Sequence, residues 1–156
     1  MATYVEHMQL LVSDISRTEK FYTTIFPDWS VRGQGREVGG SKKYEWIHIG
    51  TPSTYLSFRT HYEGQIEEQA KAERVSNHIG IVVDDIEMII STLKQIGGEV
   101  ILSKHPHRVR VYTRDPDGYE IEIIQYLSDK DSEKNDYQWC LANGVTVPCN
   151  SFSQNA

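Results

Sequence analysis

The amino-acid sequence predicts an α+β fold built from two copies of a β-α-β-β-β unit, and three observations carry that reading. The stretch His7-Met8-Gln9-Leu10-Leu11-Val12-Ser13-Asp14-Ile15 aligns without a gap on His78-Ile79-Gly80-Ile81-Val82-Val83-Asp84-Asp85-Ile86, with His, Val and Asp at matching places. A repeat found at this stage decides how the rest of the chain is divided. Each copy opens on an apolar run of strand length and then meets an Asp, which suits a helix entrance because a carboxylate there accepts from free N–H groups. Each helix is followed by three candidate strands.

In the first copy Ile15, Thr18, Phe21, Tyr22 and Ile25 fall on one side at helical spacing, and Pro27-Asp28 ends the helix. Strands are expected at about 29–34, 44–49 and 54–60. The segment Gly33 to Lys43 is rich in Gly and charge and reads as a loop. In the second copy Ile86, Ile89, Ile90, Leu93 and Ile96 form the apolar side, Gly97-Gly98 stops the helix, and strands are expected at about 99–103, 108–113 and 119–126. The polar stretch Tyr62 to Val75 reads as a linker with room for a short helical turn through Ile66 to Ala72. The packed domain therefore spans 4–126, with module one at about 4–61 and module two at about 77–126. Residues 127–156 form a C-terminal extension that begins with a charged run and carries Trp139, Leu141 and Val145.

A length of 156 residues fits one domain or two small repeats sharing a core. Lys and Arg total 16 against 22 Asp and Glu, a formal net charge of −6. That balance argues against a nucleic-acid backbone or an anionic membrane as partner, both of which attract clustered positive charge. No apolar run approaches the roughly 18 residues of a membrane-spanning helix, and the first residues lack a signal-peptide pattern, so the expected location is the cytoplasm. Cys140 and Cys149, with neither CxxC spacing nor a disulfide framework, read as free thiols.

Alternation along each strand separates a helix-facing set from an opposite one. In the opening strands Met8, Leu10 and Val12, and likewise Ile79, Ile81 and Val83, face the helices, which leaves His7 and His78 on the other face at equivalent places. The same parity puts Arg108, Arg110 and Tyr112 on that face, together with Glu120 and Glu122, and groups Tyr55, Ser57 and Arg59 against Leu56 and Phe58. An antiparallel sheet can simply leave such a face in water. Two imidazoles and one carboxylate also suit Zn, Ni, Mn or Fe with coordination positions left open. Parity does not separate Glu122 from Glu120, nor does it orient Trp46 and His48. His61, His105 and His107 lie near loops and read as surface residues.

The repeat, the His-x-x-x-x-Val-x-Asp-Ile openings, Phe21-Tyr22, and above all Asp115-Pro116-Asp117-Gly118-Tyr119-Glu120-Ile121-Glu122 resemble the vicinal oxygen chelate superfamily, which includes glyoxalase I, bleomycin resistance proteins, fosfomycin resistance proteins and extradiol dioxygenases. The resemblance implies two βαβββ modules forming a cupped mixed sheet around a metal or ligand. It makes His7, His78 and Glu122 the ligands of a divalent ion (Fe, Mn, Ni or Zn). The fourth ligand of glyoxalase I-type members falls here on Ser57, a neutral hydroxyl, which removes one candidate proton acceptor and leaves Ser57 as a substrate contact. Catalytic roles fall to Glu122 and Tyr112, the latter as a hydrogen-bond donor. Arg59, Arg108 and Arg110 are expected to grip an anionic substrate through their planar forks.

The function so implied is that of a metal-dependent enzyme, a glyoxalase-like lyase or isomerase or a dioxygenase, acting on a small, anionic, oxygen-chelating molecule. The alternative is a non-catalytic small-molecule or antibiotic-binding protein of the bleomycin-binding type. Members of this length imply a homodimer.

Overall fold

The computed structural model describes residues 3–39, 43–62, 78–136 and 139. The expected helical turn at 66–72 and both cysteines lie outside the described residues. The chain divides into two compact units, residues 1–77 with the turn 115–119, and residues 78–114 with 120–156.

In the first unit β1 (His7–Val12), α1 (Ile15–Ile25), β2 (Ser30–Glu37), β3 (Tyr44–Gly50) and β4 (Tyr55–Thr60) follow in order. The sheet order is β1-β4-β3-β2, with β1 parallel to β4 and the other pairs antiparallel. Asp14 caps α1 as expected, its side chain accepting from the Arg17 N–H at 2.9 Å. The helix buries Thr18, Tyr22 and Ile25 over Ile47 and Ile49 of β3 and Leu56 and Phe58 of β4. One difference from the sequence expectation has a packing cause. Strand β2 runs on to Glu37, through residues read as loop, because Gly33 and Gly35 leave room for the Trp46 indole to lie across them. A Cβ on Gly35 would come within 3.0 Å of that ring, so the glycines here serve packing and not a turn. The register also shifts between Val31 and Gly33, so Arg32 is the extra residue of a β-bulge.

The turn 115–119 packs as part of this first unit. Asp115 Oδ1 accepts from the backbone N–H groups of Asp117 and Tyr119, each at 2.9 Å, and Oδ2 accepts from the Tyr22 hydroxyl at 3.2 Å. Gly118 takes the φ of +87° that the tight turn demands. The Tyr119 hydroxyl donates to the Leu11 carbonyl at 3.0 Å, and Asp117 accepts from the Ser13 N–H at 2.9 Å. Burial lifts the Asp115 carboxyl above the ordinary carboxylate range, against the opposing pull of the Tyr119 and Asp117 N–H groups.

The second unit repeats the plan with β5 (His78–Val82), α2 (Ile86–Gln95), β6 (Ile101–His105), β7 (Arg108–Arg114) and β8 (Glu120–Tyr126), in the order β5-β8-β7-β6. Asp85 caps α2 through the Met88 N–H at 3.0 Å, and Ile86, Ile89, Ile90 and Leu93 are buried. Ile96 is instead exposed, because the helix ends on it. A short helix α3 (Asp131–Lys134) follows in the extension.

Two expectations are corrected here. His105 is not a surface residue: it is buried, its ring meets Trp139 edge-on at 4.8 Å, and its Nδ1 accepts from the His107 N–H. Arg108 does not present its guanidinium to a substrate. At 2% exposure it donates to the Lys134 carbonyl at 2.6 Å and to the Asp136 carbonyl at 3.3 Å, so it holds the orphan carbonyls at the end of α3. Replacing Arg108 with Ala is expected to remove about 2 kcal/mol of stability through those lost charge-assisted bonds. It should also speed tryptic cleavage at Lys130 and Lys134; equal cleavage rates in variant and parent would refute the fastening role.

Candidate functional site

In the second unit the pairing of β5, β8 and β7 brings one carboxylate to the centre of the polar face. Gly80 pairs with Glu122, and Tyr112 pairs with Glu122 from the other side. The His78 imidazole reaches the carboxylate, with His78 Nε2 3.4 Å from Glu122 Oε2. The second oxygen, Oε1, accepts from the Tyr112 hydroxyl at 2.8 Å and pairs with Arg110 Nε at 2.9 Å. The ambiguity of parity is thus resolved in space, since Glu122 stands against His78 while Glu120 pairs with Arg114 at 3.7 Å.

Arg110 therefore neutralises the carboxylate, and Tyr112, which is buried, orients it. The Tyr112 hydroxyl and Arg110 Nε are both directed at the carboxylate. Two metal ligands bound at ~2.1 Å and a tetrahedral angle stand ~3.4 Å apart, the separation seen between His78 Nε2 and Glu122 Oε2. The pair fits one edge of a metal's coordination sphere, with the opposite carboxylate oxygen fixed by Tyr112 and Arg110 as an outer shell.

The first unit carries His7 in a different setting. Its ring stacks on Tyr55 with centroids 4.9 Å apart, and its Nδ1 lies 3.0 Å from Glu6 Oε2. Tyr55 also meets His48 at 4.8 Å, and His48 meets Trp46 at 4.9 Å, so four rings run across β3, β4 and β1. The Arg32 guanidinium lies over Tyr55 at 4.1 Å. Burial lowers the His48 pKa, and the charges of His7 and Arg32 lower it further against the pull of Glu6. Ser57, 2% exposed, sits between Gln9 and His48 in the register and accepts from Gln9 Nε2 at 3.5 Å. Burial closes Ser57 to the substrate contact expected of it.

Arg59 donates to the Thr60 carbonyl at 3.1 Å and lies over the Tyr62 ring at 4.2 Å, engaged at the end of its own strand. The expected set is thus brought together in part. His78, Glu122, Tyr112 and Arg110 converge in the second unit, while His7 lies in the first. Among the described residues no group of three or more His, Cys, Asp or Glu side chains gathers closely enough to hold an ion. Trp46 and His48, which parity left unoriented, join Tyr55 in this row of rings, while Arg32 was missed.

The profile of the Glyoxalase/Bleomycin resistance protein/Dioxygenase superfamily matches residues 4–123, and the chain belongs to that family. A relative named probable lactoylglutathione lyase, from Vibrio cholerae serotype O1, is 28% identical over 125 residues, covering 76% of this chain and 88% of its own. Another of the same name, from Vibrio parahaemolyticus serotype O3:K6, is 30% identical over 128 residues at the same coverage. The fold matches that of the fosfomycin resistance protein FosX from Listeria monocytogenes, solved as a glutamate-to-glutamine mutant with Mn(II) and a dihydroxypropylphosphonic acid. That match has a TM-score of 0.62 at 17% identity over 86% of this chain and 99% of the other. Among the described residues no helix is long and apolar enough to cross a membrane.

Proposed function

We propose that this protein is a metal-dependent enzyme, a glyoxalase-like lyase or isomerase or a dioxygenase, acting on a small anionic molecule with adjacent oxygens. His7, His78 and Glu122 are its ligands for a divalent ion (Fe, Mn, Ni or Zn). The observation that carries the reading is the His78–Glu122 pair, with donor atoms at coordination-edge separation and the far carboxylate oxygen already committed. The relatives named as lyases support the enzymatic class.

A bound ion supplies Lewis-acid polarisation of a chelated substrate oxygen. The chain's own residues set the stage for it. Tyr112 donates to Glu122 Oε1 and so orients the carboxylate, and Arg110 pairs with the same oxygen. Buried, neutral Ser57 is no acceptor for a substrate proton, which separates this site from the four-ligand glyoxalase I pattern. The reading carries with it a cytoplasmic homodimer.

The test is elemental analysis of gently purified protein beside the His7→Ala/Glu122→Ala variant. Near-stoichiometric metal in the parent and its loss in the variant are expected. A parent that takes up no Fe, Mn, Ni or Zn even on reconstitution would refute the metal enzyme. It would favour the second reading, a small-molecule-binding protein, for which the row of rings from Trp46 to His7 is the supporting observation.

A further inference from the structure

We propose that Arg32 recognises a carboxylate group of the ligand, held ready for it by the Tyr55 ring, on the same polar face of the first unit that carries His7. This deepens the functional reading above and rests on it for the placement of the substrate.

Three observations converge on Arg32. It is the extra residue of the bulge between Val31 and Gly33, and so has no register partner on β3. Bulges re-aim a side chain, and here the guanidinium crosses β3 to lie 4.1 Å over Tyr55 on β4. The other described arginines are engaged with oxygen: Arg17 with Asp117, Arg36 with Glu45, Arg110 with Glu122, Arg114 with Glu99 and Glu120, and Arg59 and Arg108 with backbone carbonyls. Among the described residues Arg32 makes a ring contact and no such pair, in a chain where 22 acidic residues outnumber 16 basic ones.

Stacking occupies the flat face of a guanidinium and leaves its in-plane N–H fork open, the edge that matches the two oxygens of a carboxylate. A side chain already held on a ring loses less freedom when it binds, so its grip is stronger than that of a mobile surface arginine. His48, on the same Tyr55 ring, adds an imidazole beside the fork. The Glu6 carboxylate is engaged with His7 Nδ1 at 3.0 Å. Because His7 stacks on that same ring, a carboxylate on Arg32 lies one aromatic ring away from an expected metal ligand. The ligand class is therefore a small carboxylic acid that sets its carboxylate on Arg32.

The test titrates the full-length protein with lactate, and in parallel with lactamide, its neutral isostere. The readouts are the NMR signals of the Arg32 Nε–H and the Trp46 indole N–H. Lactate is expected to give saturable shifts at both, with lactamide weaker by about ten- to a hundredfold. Arg32→Ala should bring lactate down to the lactamide level, and Arg32→Lys, which keeps charge and loses the fork, should fall between. His78→Ala/Glu122→Ala should keep the preference for lactate even if it loses metal, which separates failure of the metal reading from failure of this one. Equal titration by lactate and lactamide, or unaltered lactate binding in Arg32→Ala, would overturn the proposal. So would a preference abolished in His78→Ala/Glu122→Ala but retained in Arg32→Ala, since that places the carboxylate on the ion.

Discussion

Glu122→Ala is expected to cost about 2 to 4 kcal/mol of folding stability. The loss has a specific origin. Arg110 and Glu122 each have side chains only 12% exposed, and the buried Tyr112 hydroxyl donates to the same carboxylate oxygen. Removing the acid strands a guanidinium and a phenol in a region short of water, and breaking a buried pair from one side is costlier than never having formed it. Glu122→Gln keeps the shape and an acceptor oxygen for Tyr112 while removing the charge, so it should lose less stability than Glu122→Ala, and on the proposed ligand role it should lose as much metal. Denaturant unfolding of the two variants, with metal analysis of each, checks this. If Glu122→Ala unfolds at the parent's midpoint, the carboxylate is not the centre of the network described.

The second large effect is expected at the Asp115 turn. Asp115, 5% exposed, accepts from two backbone N–H groups and from the Tyr22 hydroxyl, so Asp115→Ala leaves three donors in want of a partner. A loss of about 3 kcal/mol or more is expected. Asp115→Asn isolates the charge. Because burial raises the carboxyl above its ordinary value of 3.8, the folded state binds more protons than the unfolded state across that interval. Stability through this group is therefore highest below pH 3.8 and falls as pH rises to the raised value, above which the cost of the buried charge is constant. Asn has no such titration. The pH slope of the denaturation midpoint above 3.8 should be less negative in Asp115→Asn than in the parent, and identical slopes would refute the assignment.

What the sequence made legible and what it hid divide along physical lines. The repeat, both helix caps and the apolar faces of α1 and α2 were readable because each follows from local periodicity or one capping residue. His78 and Glu122 were reachable by parity plus a family pattern, since β5 and β8 have regular registers. Arg32 was hidden because a bulge resets parity, and nothing in Val31-Arg32-Gly33 announces one. Arg108 was misjudged because its partners are carbonyls of Lys134 and Asp136, far along the chain, and only tertiary structure buries an arginine on backbone oxygens. The extension of β2 was missed because glycine weakens a strand in isolation; here it makes room for Trp46, a gain that appears only once β3 is alongside.

The registers of the two sheets set unlike residues at equivalent points. Ser57, flanked by Gln9 and His48, occupies the place in the first unit that Glu122, flanked by Gly80 and Tyr112, occupies in the second. One strand plan thus carries a packed hydroxyl beside a row of rings in the first unit and a carboxylate paired with Arg110 in the second, so a repeated backbone supports two unlike chemistries at the same point.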